Sequence, residues 1–154
     1  MPLNSRGIFI FRKMIKLPLH LIELDENNFH LVVESSVNNE KIFWIIDTGA
    51  SKSVFDINLN QYYTLVESKN DEEFQSAGIT SGKVETKLGS ISFEIGKLQI
   101  DNLTVALLDL NHVKKIYKKY TNQLIGGLLG GDVLNKYKCC IDYMNRTITF
   151  NQPQ

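Results

Sequence analysis

The feature that most constrains this chain is an apolar run that stops at an acid. Phe43 to Ile46 (FWII) are β-branched and aromatic, are bounded by turn signals and are too few for a helix, so they read as a strand buried in a core. Asp47 follows at the point where that strand leaves the core, and Thr48, Gly49, Ala50 and Ser51 come next. Thr48 and Gly49 permit a tight turn, and glycine lets backbone amides approach the carboxylate with no Cβ in the way. Ala50 and Ser51 keep the surroundings uncrowded. A carboxylate there is held, not free. Taken alone, Asp-Thr-Gly is equally a plain β-turn whose Asp accepts the turn's amide, so the surroundings must decide.

Those surroundings read as β throughout. From Ile15, IKLPLHLIEL carries a proline tolerated at an edge or a bulge, which suits an outer strand. His30 to Val37 and Lys41 to Ile46 flank Asn38, Asn39 and Glu40, and asparagine takes the positive φ of hairpin turns; this hairpin delivers Asp47. Beyond Asp47, SKSVFDINL leads to Tyr62 and Tyr63 and then to the charged stretch LVESKNDEEF, a solvated face. Short β runs punctuated by Gly78, Gly82, Gly89 and Gly96 predict an all-β meander. Within it, Ala77 to Val84 has a small polar tip with a glycine at either end and suits a mobile hairpin. Asn111 to Tyr120 is the helical signature: Asn111 to cap, Val113, Ile116, Tyr117 and Tyr120 at helical spacing, lysines on the solvated side. Asp132 stands where it would cap a second short helix and is not counted as catalytic. Residues 1–14 show no sustained period and read as an arm; residues 15–154 read as one domain.

The run IIDTGAS resembles the active-site loop of pepsin-like and retropepsin-like aspartic proteases, where it also follows an apolar strand. Gly126 to Phe150 (GGLLGGDVLNKYKCCIDYMNRTITF) resembles that superfamily's hydrophobic-hydrophobic-Gly strand, short helix and closing hairpin. The likeness spans about Ile15 to Phe150 and implies an all-β, retropepsin-like closed barrel, the acid protease fold, with one or two short helices. It implies that Asp47 is the catalytic acid/base, that Thr48 grips the opposite loop, that Gly49 gives its amide to the carboxylate, and that Ala50 and Ser51 complete the loop. Ala77, Gly78, Ile79 and Gly82 would belong to the flap over a peptide or protein substrate. Peptide hydrolysis of this kind needs two carboxylates sharing one proton, and the acid-turn motif occurs once. The family contains half-length chains that pair two identical subunits about a two-fold axis, so the resemblance implies a homodimer, and a weak one is expected because its candidate edges are neither long nor strongly apolar. Those edges are Ile15 to Leu19 and Thr147 to Phe150. The rival reading is a barrel of the same fold that binds peptide or protein without cutting it.

Composition narrows the field. Among 154 residues, seventeen basic and seventeen acidic side chains cancel, which removes the general pull toward nucleic acid. No apolar run approaches a membrane span, and Gly7 to Phe11 (GIFIF) is cut short by Arg12 and Lys13, so neither signal peptide nor anchor is expected. Cys139 and Cys140 are adjacent on a strand and point to opposite faces, poorly placed to bond each other; with no secretion signal this points to a reducing, cytoplasmic compartment. His20, His30 and His112 have no ligand spacing, so no metal is expected, and the glycine motifs that cradle phosphate are absent, so no cofactor is expected either. Ser51 and Ser53 lack a nucleophile-elbow pattern, which argues against a serine triad.

Overall fold

The computed structural model describes residues 13–67 and 87–152. The arm at 1–12, most of the charged stretch and the Ala77 to Val84 hairpin lie outside the described residues.

The segment from Ile15 to Leu24 forms two strands, β1 (Met14–Pro18) and β2 (His20–Asp25), divided at Leu19. Pro18 has no N–H to give a ladder and ends the first of them. Next come β3 (Asn28–Val37) and β4 (Glu40–Ile46), joined by Asn38 and Asn39 at φ 50° and 66°, the two positive values that a primed hairpin turn demands. Short β5 (Val54–Asp56) follows the Asp47 loop, and a 3₁₀ turn over Asn60–Tyr62 leads to β6 (Thr64–Val66). Then β7 (Lys87–Ile95) and β8 (Leu98–Leu108) make a long hairpin that turns at Gly96, φ 58°. Gly89 makes no turn; it lies inside β7, where a Cβ would press on Tyr63 and Leu107. The chain closes with α1 (Asn111–Tyr117), β9 (Ile125–Leu129), α2 (Gly131–Lys136), β10 (Cys140–Asp142) and β11 (Thr147–Asn151).

Around the larger sheet the order runs β2-β3-β4-β9-β5-β8-β7-β6, and β7 also meets β3 through Ser36 and Glu94. That contact closes β3, β4, β9, β5, β8 and β7 into a six-stranded ring, the barrel expected from the sequence. Closure removes sheet edges that would otherwise need protection. The return strand β9 lies between β4 and β5, parallel to the first and antiparallel to the second.

The unbroken apolar run of β4 is explained by two cores. Ile42 and Trp44 face the barrel interior, where the Trp44 ring lies 5.2 Å from Phe55 and 4.8 Å from Phe93. Phe43 and Ile45 face outward into a second cluster with Ile22, Val32, Ile125 and Tyr117, roofed by α1. Each fully buried side chain of this size contributes roughly 1.5–3 kcal/mol, so β4 is the most heavily anchored segment near Asp47. The polar end of Trp44 is satisfied: its N–H donates to Ser35 Oγ at 2.9 Å, and that hydroxyl donates to the Ile42 carbonyl at 2.8 Å.

Three expectations are corrected. The helix ends at Tyr117 instead of Tyr120, leaving Ile116 and Tyr120 exposed and only Tyr117 fully packed. Asn111 is not its cap: Asp109 Oδ1 accepts the Asn111 amide at 2.9 Å. Lys114 is not on a solvated face but reaches back to pair with the buried Asp56. As for the termini, β1 and β11 pair with each other, Ile15 opposite Phe150, and β10 covers the other side of β11. Thr147 to Phe150 therefore has both edges filled within its own chain.

Candidate active site

Asp47 sits one residue beyond the end of β4. Its amide donates to the Leu129 carbonyl at 3.0 Å, so the start of the loop is tied to the end of β9. Its half-buried carboxylate receives the Gly49 amide on Oδ1 at 2.9 Å, and the Ala50 amide returns to the Asp47 carbonyl at 3.3 Å. A Cβ at position 49 would stand 3.3 Å from that same Oδ1, so a larger residue would crowd the carboxylate. Thr48, Gly49 and Ser51 are exposed at the tip, and Ala50 is half-buried. The loop thus presents a carboxylate and a hydroxyl outward from a backbone fixed on its inner side. Of the residues expected to serve the site, Asp47 through Ser51 come together; Ala77, Gly78, Ile79 and Gly82 lie outside the described residues.

The inner side is fixed by the turn Leu129 to Asp132. The Gly131 amide donates to the Ala50 carbonyl at 2.7 Å and the Asp132 amide to the Ser51 carbonyl at 3.2 Å. Such closeness requires Gly130, because a Cβ there would meet the Ala50 carbonyl oxygen at 2.7 Å and Lys52 backbone at 2.9 Å. Asp132 lies in the first turn of α2, with Gly130 at the cap position, and its Oδ1 accepts three donors: the Ser53 amide at 3.0 Å, the Ser53 hydroxyl at 2.6 Å and the Val133 amide at 2.9 Å. Ser53 is fully buried, and its hydroxyl also accepts the Gly130 amide at 3.0 Å. Sequence reasoning missed this pair. Its signal, a hydroxyl six residues after the acid and a carboxylate opening the second helix, becomes visible only when residues 79 positions apart are brought together.

A buried acid lies further along the same segment. Asp56 is fully buried, and its Oδ1 accepts the amides of Asn58 and Leu110 and the Asn58 side chain, while Oδ2 faces the Lys114 ammonium. Burial raises its pKa, but Lys114 and the Asn58 and Leu110 donors outweigh that and hold it below the usual carboxylate value. Burial, and then the neighbouring Cys140, pushes the Cys139 thiol up to about 12, which makes it an unreactive core group. Both cysteines are free. His20 packs edge-on against Phe43 and His30 bonds the Tyr117 hydroxyl, so each has a structural partner. Among the described residues no three His, Cys, Asp or Glu side chains are grouped to hold a metal, and no helix is long and apolar enough to cross a membrane.

Comparison with known proteins bears on this geometry. Among solved structures, the chain is similar to a retropepsin-like aspartic protease from Rickettsia conorii, at 21% identity over 92% of this chain and 97% of that one, TM-score 0.47. It is also similar to the retroviral protease-like domain of Ddi1 from Leishmania major, at 13% identity over 80% of this chain and 92% of that one, TM-score 0.47. No curated protein sequence matches it. The family model for aspartyl proteases matches residues 33–133, from within β3 to the first turn of α2. That match takes in more than half of the chain, with both the Asp47 loop and the glycine turn that fixes it, and the chain belongs to the aspartyl protease family.

Proposed function

We propose that the protein is an aspartic endopeptidase whose site forms when two copies bring their Asp47 loops together. The observation that carries this reading is the division of labour among the acids. Asp56 is consumed by Lys114 and Asn58, and Asp132 by Ser53, whereas Asp47 stands on an outward-facing loop. One chain then supplies one carboxylate, and the chemistry requires two. Two carboxylates a few Å apart cannot both ionise readily, so the pair shares a proton. The ionised member takes a proton from a water, whose oxygen adds to the peptide carbonyl while the protonated member gives its proton to the carbonyl oxygen. Collapse of the resulting diol breaks the C–N bond, and the amine leaves with a proton returned from the dyad. Thr48, exposed at the tip, would hold the opposing loop, and the Gly49 amide stabilises the charged carboxylate.

Purified protein incubated with a mixed peptide library from acid to alkaline pH is expected to cleave it, with activity fading on the alkaline side as the dyad loses its shared proton. Asp47→Asn is expected to lower kcat/KM by at least about a thousandfold with folding unchanged, since an amide cannot act as base. Specific activity is expected to rise with enzyme concentration and then level off. Wild-type cleavage by the Asn variant would exclude the catalytic assignment; constant specific activity from a monomer by sedimentation would exclude the shared site.

A further inference from the structure

We propose that Ser53 and Asp132 are positioning residues for Asp47: a hydroxyl-carboxylate brace that fixes the acid loop through one oxygen, Asp132 Oδ1, and needs no ionisable group. The proposal rests on the catalytic reading of Asp47 and names what holds that residue in place.

The brace follows from where each donor ends. Asp47 and Ser53 bound the loop, six residues apart. The first is tied to the Leu129 carbonyl, while the second is buried and bonded through both its amide and its hydroxyl to Asp132. Between them, the Ala50 and Ser51 carbonyls receive the Gly131 and Asp132 amides. Asp132 thus meets the loop twice, with its amide and with its side chain. The Ser53 hydroxyl completes the link by accepting the Gly130 amide, leaving that group no reason to seek water. All three side-chain bonds of Asp132 converge on Oδ1, and Oδ2 is buried with no hydrogen-bond partner. An acid acting on a substrate would turn an oxygen toward it; this one spends its bonding oxygen on the loop. An asparagine carbonyl could take all three donors equally well, its amide occupying the place of an oxygen that bonds nothing. Loss of the acceptor is another matter, because it would strand two amides and a hydroxyl and release the far end of the loop. Displacing a reacting group by about 1 Å can cost about a hundredfold in rate.

Full-length Asp132→Asn, Asp132→Ala and Ser53→Ala proteins, alongside wild type and Asp47→Asn, decide the matter by kinetics, sedimentation and hydrogen exchange. Ser53→Ala and Asp132→Ala, assayed at enzyme concentrations where specific activity has levelled off, are expected to lower kcat about ten- to a hundredfold with KM unchanged. Asp132→Asn is expected to stay within about threefold of wild type, the rescue that a catalytic acid would not allow. Exchange of amides in residues 47–53 is expected to quicken at least about tenfold in Ser53→Ala and Asp132→Ala but not in Asp132→Asn, while β3 and β8 keep their protection. If Asp132→Ala does not fold, Ser53→Ala carries the same test. An Asp132→Asn protein as inactive as Asp47→Asn but with a protected loop would make Asp132 an acid and overturn the proposal, as would a Ser53→Ala protein with wild-type kcat and loop protection. Should wild type and Asp47→Asn behave alike toward peptides, the protease reading falls, and exchange still decides the brace.

Discussion

Lys114 shows how one residue can be read correctly in kind and wrongly in place. Its neighbours mark a helix, and lysines on a short helix ordinarily face water. Here the side chain turns inward because Asp56, far away in sequence, is buried at the end of β5 with an oxygen to neutralise. Breaking such a pair from one side leaves an uncompensated buried charge, which costs about 3–5 kcal/mol. Lys114→Met should therefore lose about that much at pH 7, measured by urea unfolding through the single tryptophan, Trp44. Asp56 is held below 3.8 in the folded protein, so its contribution is fully present above that pH and disappears as the pH falls through its folded value. The deficit of the methionine variant should accordingly narrow in strong acid; a deficit of equal size at all pH values would mean that the pair is not what stabilises this corner. The Asp47 loop was legible because its logic is local: strand, acid, turn and small residues are consecutive. Asp56 and Ser53 were not, because each acquires its role from a partner that only the fold supplies.

At the level of elements, the glycines of β9 and of the turn after it are the clearest case of sequence dictated by packing. Squeezed between β4 and β5, β9 can carry no side chain at Gly127, where a Cβ would lie 2.2 Å from the Val54 carbonyl oxygen and 2.8 Å from the Trp44 ring. Gly131, four residues later and also beside the acid loop, has its nearest neighbour at 3.5 Å, an ordinary contact. Gly127→Ala should destabilise by at least about 3 kcal/mol, beyond the usual cost of overpacking because the obstacle is backbone. Gly131→Ala should fall within about 1 kcal/mol of wild type, helped by alanine's better helix propensity. Thermal unfolding of the two proteins checks the contrast; similar losses would show that β9 is not held tightly between its neighbours. The GGLLGG string was legible as a motif, yet which glycine is indispensable depends on what passes beside it.

For the whole molecule, the three-stranded sheet β1-β11-β10 forms within one chain, so the strands expected to join two subunits are engaged in joining the two ends of one. Thr147 to Phe150 has no edge left for a partner, whereas β1 is an outer strand of that sheet, paired among the described residues on one side alone. Sedimentation of wild type and of Thr48→Ala, which removes the tip hydroxyl, should show weaker pairing in the variant by about tenfold, with an unaltered monomer fold; identical equilibria would place the interface elsewhere. The order of assembly also has a consequence in time. The acid loop leaves a ribosome before the turn that holds its inner side, from the Leu129 carbonyl to Asp132 Oδ1, and β1 waits longer still for β11. A nascent chain stopped at residue 120 should leave residues 47–53 unprotected in hydrogen exchange, whereas the full chain protects them. The order of synthesis thus works as a safety catch: the acid loop stays unset until the turn that fixes it has followed it out.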